Sequence, residues 1–175
     1  MSKREHKISE AAVHGDSSGS GSSPAPRRAQ HRRGAVAVIV REQKLLLIQR
    51  APTVVAPGAY CFPGGGIEAG ETEPQALVRE LCEELAVRVV PRERLWRSVT
   101  AWGVELAWWL AELPAEERLV ANPAEVARFQ WMTVSQMRRL DGLLSSNHAF
   151  LAALAAGEFV IQGITERRRP RVDCD

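Results

Sequence analysis

Residues 65–87 read GGIEAGETEPQALVRELCEELAV, and inside them RELCEEL (79–85) sets three glutamates and an arginine among residues that otherwise look like a buried helix. Thr72 stands three residues before Gln75, the spacing of a capping box, and Pro74 is tolerated in a first helical turn. The spacing therefore predicts a helix from about Glu73 to Leu85. At about 100° per residue, Glu80, Glu83 and Glu84 share an arc of about 100°, while Leu77, Val78, Leu81 and Leu85 form a separate apolar stripe. The result is a core-packing helix with one crowded acidic edge.

A solvated polar face is the ordinary reading of a few helical glutamates. Here like charges stand at i, i+3 and i+4, and only Arg79, four residues before Glu83, compensates them locally. A divalent cation would remove the repulsion. Hard Mg²⁺ takes oxygen ligands, a few carboxylates together with the phosphate oxygens of a substrate. The preceding PGGGIEAGE (63–71) predicts a tight loop that exposes backbone N–H groups and brings Glu71 toward the acids.

Read as one pattern, the stretch is Gly65, five residues, Glu71, seven residues, then Arg79-Glu80-Leu81-Cys82-Glu83-Glu84-Leu85-Ala86-Val87. It resembles the Nudix box, G-x5-E-x7-R-E-U-x-E-E-x-G-U with U aliphatic, at every fixed position but one. The segments LLLIQR, GAYCFPGG and FQWM fall where MutT-type Nudix hydrolases place comparable ones, so the resemblance covers roughly residues 34–156. It implies an α/β fold, an α/β/α sandwich around a mixed sheet. The activity implied is hydrolysis of a nucleoside diphosphate linked to another moiety. On matching positions, Glu80, Glu83 and Glu84 would bind Mg²⁺ or Mn²⁺, Arg79 and Glu71 would pair to lock the loop on the helix, and Gly65 would shape the loop. The departure is Ala86, where the box has the glycine that usually ends the helix in a left-handed conformation; no ligand is lost by it. A non-catalytic nucleotide-binding domain of the same fold is the alternative from another class, and action on RNA ends is a third reading.

Outside the box, Glu125 in NPAEVARFQW stands where some MutT-like members keep a further catalytic acid, against the plain reading of a loop glutamate. Either Glu83 or Glu125 would then serve as general base. Arg50, at the end of a strand, is in place to reach a phosphate. Tyr60 beside the glycines, Gly64 and Gly66 within them, and Trp102 at a hairpin end are the remaining substrate-binding candidates. Trp96, Trp108, Trp109 and Trp131 read as core or sheet surface, Glu105 as a strand residue facing solvent or an arginine, and His148 as helix surface.

The 175 residues carry a formal net charge of +2, unevenly spread. Residues 1–33 hold seven Lys/Arg against three acids, residues 34–163 twelve against fifteen, and residues 164–175 four against three. We expect a Gly/Ser/Pro-rich basic tail over 1–33 that stays disordered, one domain over 34–163 and a basic tail over 164–175. RRAQHRR and RRRPR lack interleaved aromatics, so nucleic acid is not the expected partner. A small nucleotide is, and a homodimer is compatible with it. Cys61, Cys82 and Cys174 form no CxxC pair, and no apolar run approaches the roughly 20 residues of a membrane span, which points to the cytoplasm. GAVAVIV and KLLLIQR, around the polar REQ, predict a hairpin buried on both faces. Further strands are expected at VRVV, LWRSVTAW, VELAWWLAEL and ARFQWM. Two C-terminal helices should follow, the first capped by Thr133 and Gln136, the second opening on serines and ending at Gly157.

Overall fold

The computed structural model describes residues 32–164. The basic tails lie outside the described residues except for their inner ends. Arg32 and Arg33, assigned above to the tail, belong to the fold, because Arg33 opens the first strand.

Strand β1 (Arg33–Val38) sits between two partners, antiparallel to β5 (Gly64–Gly66) and parallel to β7 (Glu105–Glu112). With β6 (Val90–Val99) on the far side of β7 they form a mixed sheet in the order β5-β1-β7-β6. In the second sheet β3 (Lys44–Arg50) pairs antiparallel with β2 (Val40–Arg41), β4 (Tyr60–Cys61) and β8 (Val126–Met132). The expected hairpin of GAVAVIV with KLLLIQR is thus only partly present. The chain turns at Glu42-Gln43, both with positive φ (49° and 59°), as a two-residue hairpin requires. Only β2 pairs across that turn. The chain leaves its first sheet at Ile39, and β1 pairs on both edges elsewhere, with β5 and β7.

Both β1 and β3 are covered on both faces, so their alternate residues supply two cores. Ala35, Ala37, Leu46 and Ile48 pack with Leu77, Leu81 and Leu85 of helix α1 (Glu73–Leu85). Val38, Leu45 and Leu47 pack with Trp108 and with Phe150, Leu151 and Leu154 of helix α3 (Ser145–Ala156). Sheets between helices give the expected sandwich. A short helix, α2 (Val134–Met137), carries the Thr133/Gln136 capping box. Helix α3 ends at Gly157 in the left-handed region, as expected, but its N-cap is Leu144 without a side-chain bond, not a serine. Nor is VRVV a strand: Val87 and Val89 turn into the α1 core, and pairing begins at Val90. Among the described residues no helix is long and apolar enough to cross a membrane.

Candidate active site

The three glycines are a strand, not the expected loop. Gly34 to Val36 pair with Gly66 to Gly64. Of the three only Gly64 has positive φ, at 134°. What they share is tight quarters. A Cβ on Gly64 would come closer than 3.0 Å to the carbonyl oxygen of Ala35, and one on Gly65 would overlap the carboxylate of Glu80. The missing side chains let β5 lie directly on the acidic edge of α1, where Gly64 N–H donates to Glu84 Oε2 at 2.8 Å.

α1 begins with the predicted capping box: Thr72 Oγ1 accepts from Gln75 N, and the Gln75 side chain accepts from Thr72 N. It ends at Ala86 with φ 55°, whose N–H donates to Cys82 O. Alanine has thus taken the left-handed place where the family pattern puts glycine.

Arg79 is the hub of the loop. Its Nε and one terminal nitrogen donate to the two oxygens of Glu71, each at 2.9 Å, and that nitrogen also reaches Gly66 O at 2.8 Å. The other terminal nitrogen donates to Glu80 at 2.9 Å and to Glu83 at 3.3 Å. The Arg79 bonds, with Glu68 N–H, hold the Glu71 carboxyl below the usual carboxylate range. Glu71 in turn raises the pKa of Arg79, which stays charged.

The three helix acids stand in different surroundings. Glu84 is buried at 5 % exposure, Glu80 is largely covered, and Glu83 is half-exposed. Burial, joined by the charges of Glu80 and Glu125, pushes Glu84 up to about 8 against the opposing pull of Gly64 N–H and Arg50. Burial also raises Glu80, where the Arg79 bond opposes it and the charges of Glu83 and Glu125 add to it. Glu125 therefore belongs electrostatically with Glu80 and Glu84.

Backbone bonds bring Glu125 there. Val120 N–H and Asn122 N–H donate to Leu85 O and Glu84 O at 2.9 Å, so the segment before β8 caps the open end of α1. Glu125 O then accepts from Ala51 N–H at 2.8 Å, just past β3. Arg50, at the end of β3, donates through Nε to Val55 O at 2.6 Å and extends its charge to Glu84 and Cys61.

Among the described residues no three acidic, histidine or cysteine side chains converge ready-made on one ion position. Arg79 holds Glu80 and Glu83, and Gly64 holds Glu84. The donor set nevertheless fits a hard divalent cation: it is all oxygen, and it is crowded enough that burial and mutual repulsion raise two of its members.

The other candidates part company. Tyr60 is buried beneath the Arg128 guanidinium, which donates to its hydroxyl, so its ring has no open face for a base. Trp102 is 88 % exposed at the β6–β7 turn. His148 is exposed as expected, and Glu105 is half-buried with no ion pair among the described residues. Sequence reasoning missed two residues. Asn147 of α3, 2 % exposed, accepts from Phe62 N–H at 3.0 Å and so anchors the chain entering β5; its signal was a lone amide in an apolar helix. Glu73, buried at the start of α1, carries no sequence signal beyond its place in the first helical turn.

The family model of the NUDIX domain matches residues 30–154. Over 76 residues the chain is 44% identical to the CTP pyrophosphohydrolase of Escherichia coli (strain K12), a match covering 42% of this chain and 56% of that protein. It is 37% identical over 84 residues to the 8-oxo-dGTP diphosphatase of the same organism, covering 45% of this chain and 64% of that one. The matches thus span less than two thirds of these relatives. The solution structure of the E. coli ORF135 protein superposes with a TM-score of 0.59 at 26% identity, over 73% of this chain and 90% of that one. With the pattern from Gly65 to Val87 folded as a glycine strand against an acidic helix, the chain belongs to the Nudix family of MutT-like hydrolases.

Proposed function

We propose that the protein hydrolyses a phosphoanhydride bond in a nucleoside diphosphate linked to another moiety: a nucleoside triphosphate, a nucleotide sugar or a dinucleotide. The observation that carries this reading is that Glu80 and Glu84 lie directly against the Gly64–Gly65 backbone, all-oxygen and repelled further by the charge of Glu125. The relatives named for CTP and 8-oxo-dGTP support a nucleotide with a phosphate chain.

In this reading Glu80, Glu83 and Glu84 hold Mg²⁺, or Mn²⁺ in its place. Bound there, the ion supplies neutralisation of the charge that develops on the phosphate oxygens. Arg79 keeps Glu80 and Glu83 at the helix edge and, through Glu71 and Gly66, fixes the strand above them. Arg50 faces the phosphates, with the backbone of Gly64 and Gly66 alongside. Glu125, carried by a different segment, accepts the proton of the attacking water. Trp102 stacks on the base. The reduced Cys61 and Cys82 suit a cytoplasmic protein.

The test is a panel of nucleoside triphosphates, nucleotide sugars and dinucleotides with Mg²⁺, the products read by mass so that the cleaved bond is identified. Turnover should vanish in chelator and return with Mg²⁺ or Mn²⁺. Undiminished turnover in chelator would sink the metal reading. A nucleotide bound tightly and left intact in both metals would establish the non-catalytic alternative.

A further inference from the structure

At the opposite end of α1 from Glu84, the Glu73 carboxylate is 7 % exposed and receives four donors from three strands. Arg33 of β1 donates to it at 3.0 Å, Arg97 and Arg94 of β6 at 2.7 and 3.2 Å, and Trp109 Nε1 of β7 at 3.0 Å. The cluster opens onto a cavity of about 240 Å³ lined by Arg33, Arg97, Glu73 and Glu105 together with the apolar Ile67 and Val99. At 1.5 Å per residue it lies roughly 16 Å along the helix axis from Glu84.

The cation content exceeds what Glu73 needs. Glu71 shows the economical solution in this same protein, where one arginine satisfies a carboxylate with two parallel bonds. Glu73 instead holds three guanidiniums by one bond each, and each guanidinium has five N–H donors. All three are about half-exposed, at 44, 42 and 55%. Arg33 and Arg97, both on Glu73 Oε1, line the cavity with Glu73 and Glu105, while Arg94 and Trp109 take up the other oxygen, Oε2, and leave the lining pair free to turn further donors into the cavity. Glu73 thus gathers cations around a cavity without exhausting their donors, an arrangement suited to a tetrahedral oxyanion.

We propose that this cavity is a second phosphate site, separate from the catalytic acids, that takes a phosphate or pyrophosphate group, either free or at the end of a small nucleotide. Arg33 and Arg97 supply its donors, and Arg94 helps to neutralise Glu73 behind them. Glu73 positions them, and Glu105 opposes the ligand's charge and limits affinity. The site does not depend on the hydrolase reading.

The test uses the full chain in excess chelator at fixed ionic strength, which keeps binding through the catalytic acids out of the measurement. The indole N–H resonance of Trp109, assigned with Trp109→Phe, is the local reporter because that group bonds Glu73. Inorganic phosphate and pyrophosphate should each move it saturably. Arg33→Gln/Arg97→Gln should weaken binding about tenfold or more, the loss that accompanies removal of charge-assisted hydrogen bonds. Glu105→Gln should tighten it. A nucleoside monophosphate binding more tightly than inorganic phosphate at this reporter would identify the source as a nucleotide; the reverse would identify a free anion. The absence of a saturable shift, or equal affinity in the arginine variant, overturns the proposal. Should the arginine variant fail to fold, Glu105→Gln decides, and unchanged or weaker binding there overturns it as well.

Discussion

Gly64 gives its backbone N–H to Glu84 Oε2 at 2.8 Å, so a glycine in an edge strand and a buried glutamate twenty residues later fix each other's place. The neighbouring glycine has a different task, and the two are separable by mutation. Gly64→Ala sets a Cβ against backbone at a φ of 134° and should cost about 3 kcal/mol or more of stability. Gly65→Ala meets only the far end of the Glu80 side chain, which can swing away. It should leave the thermal midpoint almost unchanged and weaken Mg²⁺ binding and turnover. Denaturant melts and a metal titration on both variants check the pair; equal destabilisation would show that Gly65 too is needed for the fold.

Glu73 should make the fold sensitive to acid. Burial acts to raise its pKa, but the bonds from Trp109 and Arg94 and the charges of Arg97 and Arg94 outweigh burial and hold it below the usual carboxylate range. A depressed folded-state pKa means that the unfolded chain takes up the proton first as pH falls. The contribution is therefore full above the unfolded value of 4.5 and lost as pH drops through the folded one. Glu73→Gln should cost roughly 2 kcal/mol near neutrality, with much of the difference from wild type gone at low pH. Thermal melts of both proteins across the acid range measure this, and a constant difference would contradict it.

Ala86→Gly should stabilise the protein by about 1 kcal/mol. The residue occupies the left-handed region at φ 55°, where a Cβ is penalised and glycine is not. Its side chain is exposed, so little packing is lost. A rise in the denaturation midpoint with unchanged kcat is the expected result.

Glu125→Gln and Glu83→Gln distinguish the proton acceptor from a ligand. A carboxylate bound to a cation is a poor base, whereas Glu125 stands on its own segment. Glu125→Gln should lower kcat about 10²- to 10⁴-fold with little change in Mg²⁺ affinity. Glu83→Gln should weaken Mg²⁺ binding as well as turnover. Wild-type kcat in the Glu125 variant would hand the role to Glu83.

The helix within residues 65–87 was legible from the sequence, although the glycines before it were not. Capping-box spacing, an apolar stripe and an acidic edge are nearest-neighbour properties of a helix, and α1 spans the predicted residues. The same holds for the Thr133 box and for the glycine end of α3. Strand partnership was not legible, because a pattern of apolar residues records burial and not the neighbour that provides it. GAVAVIV therefore gave no sign that its strand would abandon the hairpin at Ile39 and pair with β5 and β7.

For the site, helical spacing alone determined which side chains share the helix edge and that Arg79 lies within reach of Glu83, while the pairing of Arg79 with Glu71 was implied by the family resemblance. Tertiary structure decided how unequal the three acids are, since burying Glu84 while leaving Glu83 half-exposed depends on where β5 lies. It also decided that Glu125 joins them through backbone bonds from the end of α1, that Tyr60 is closed off by Arg128, and that Glu73 draws three arginines from two strands. Contacts between residues far apart in the chain arise from packing the two sheets, and helical spacing carries no information about them.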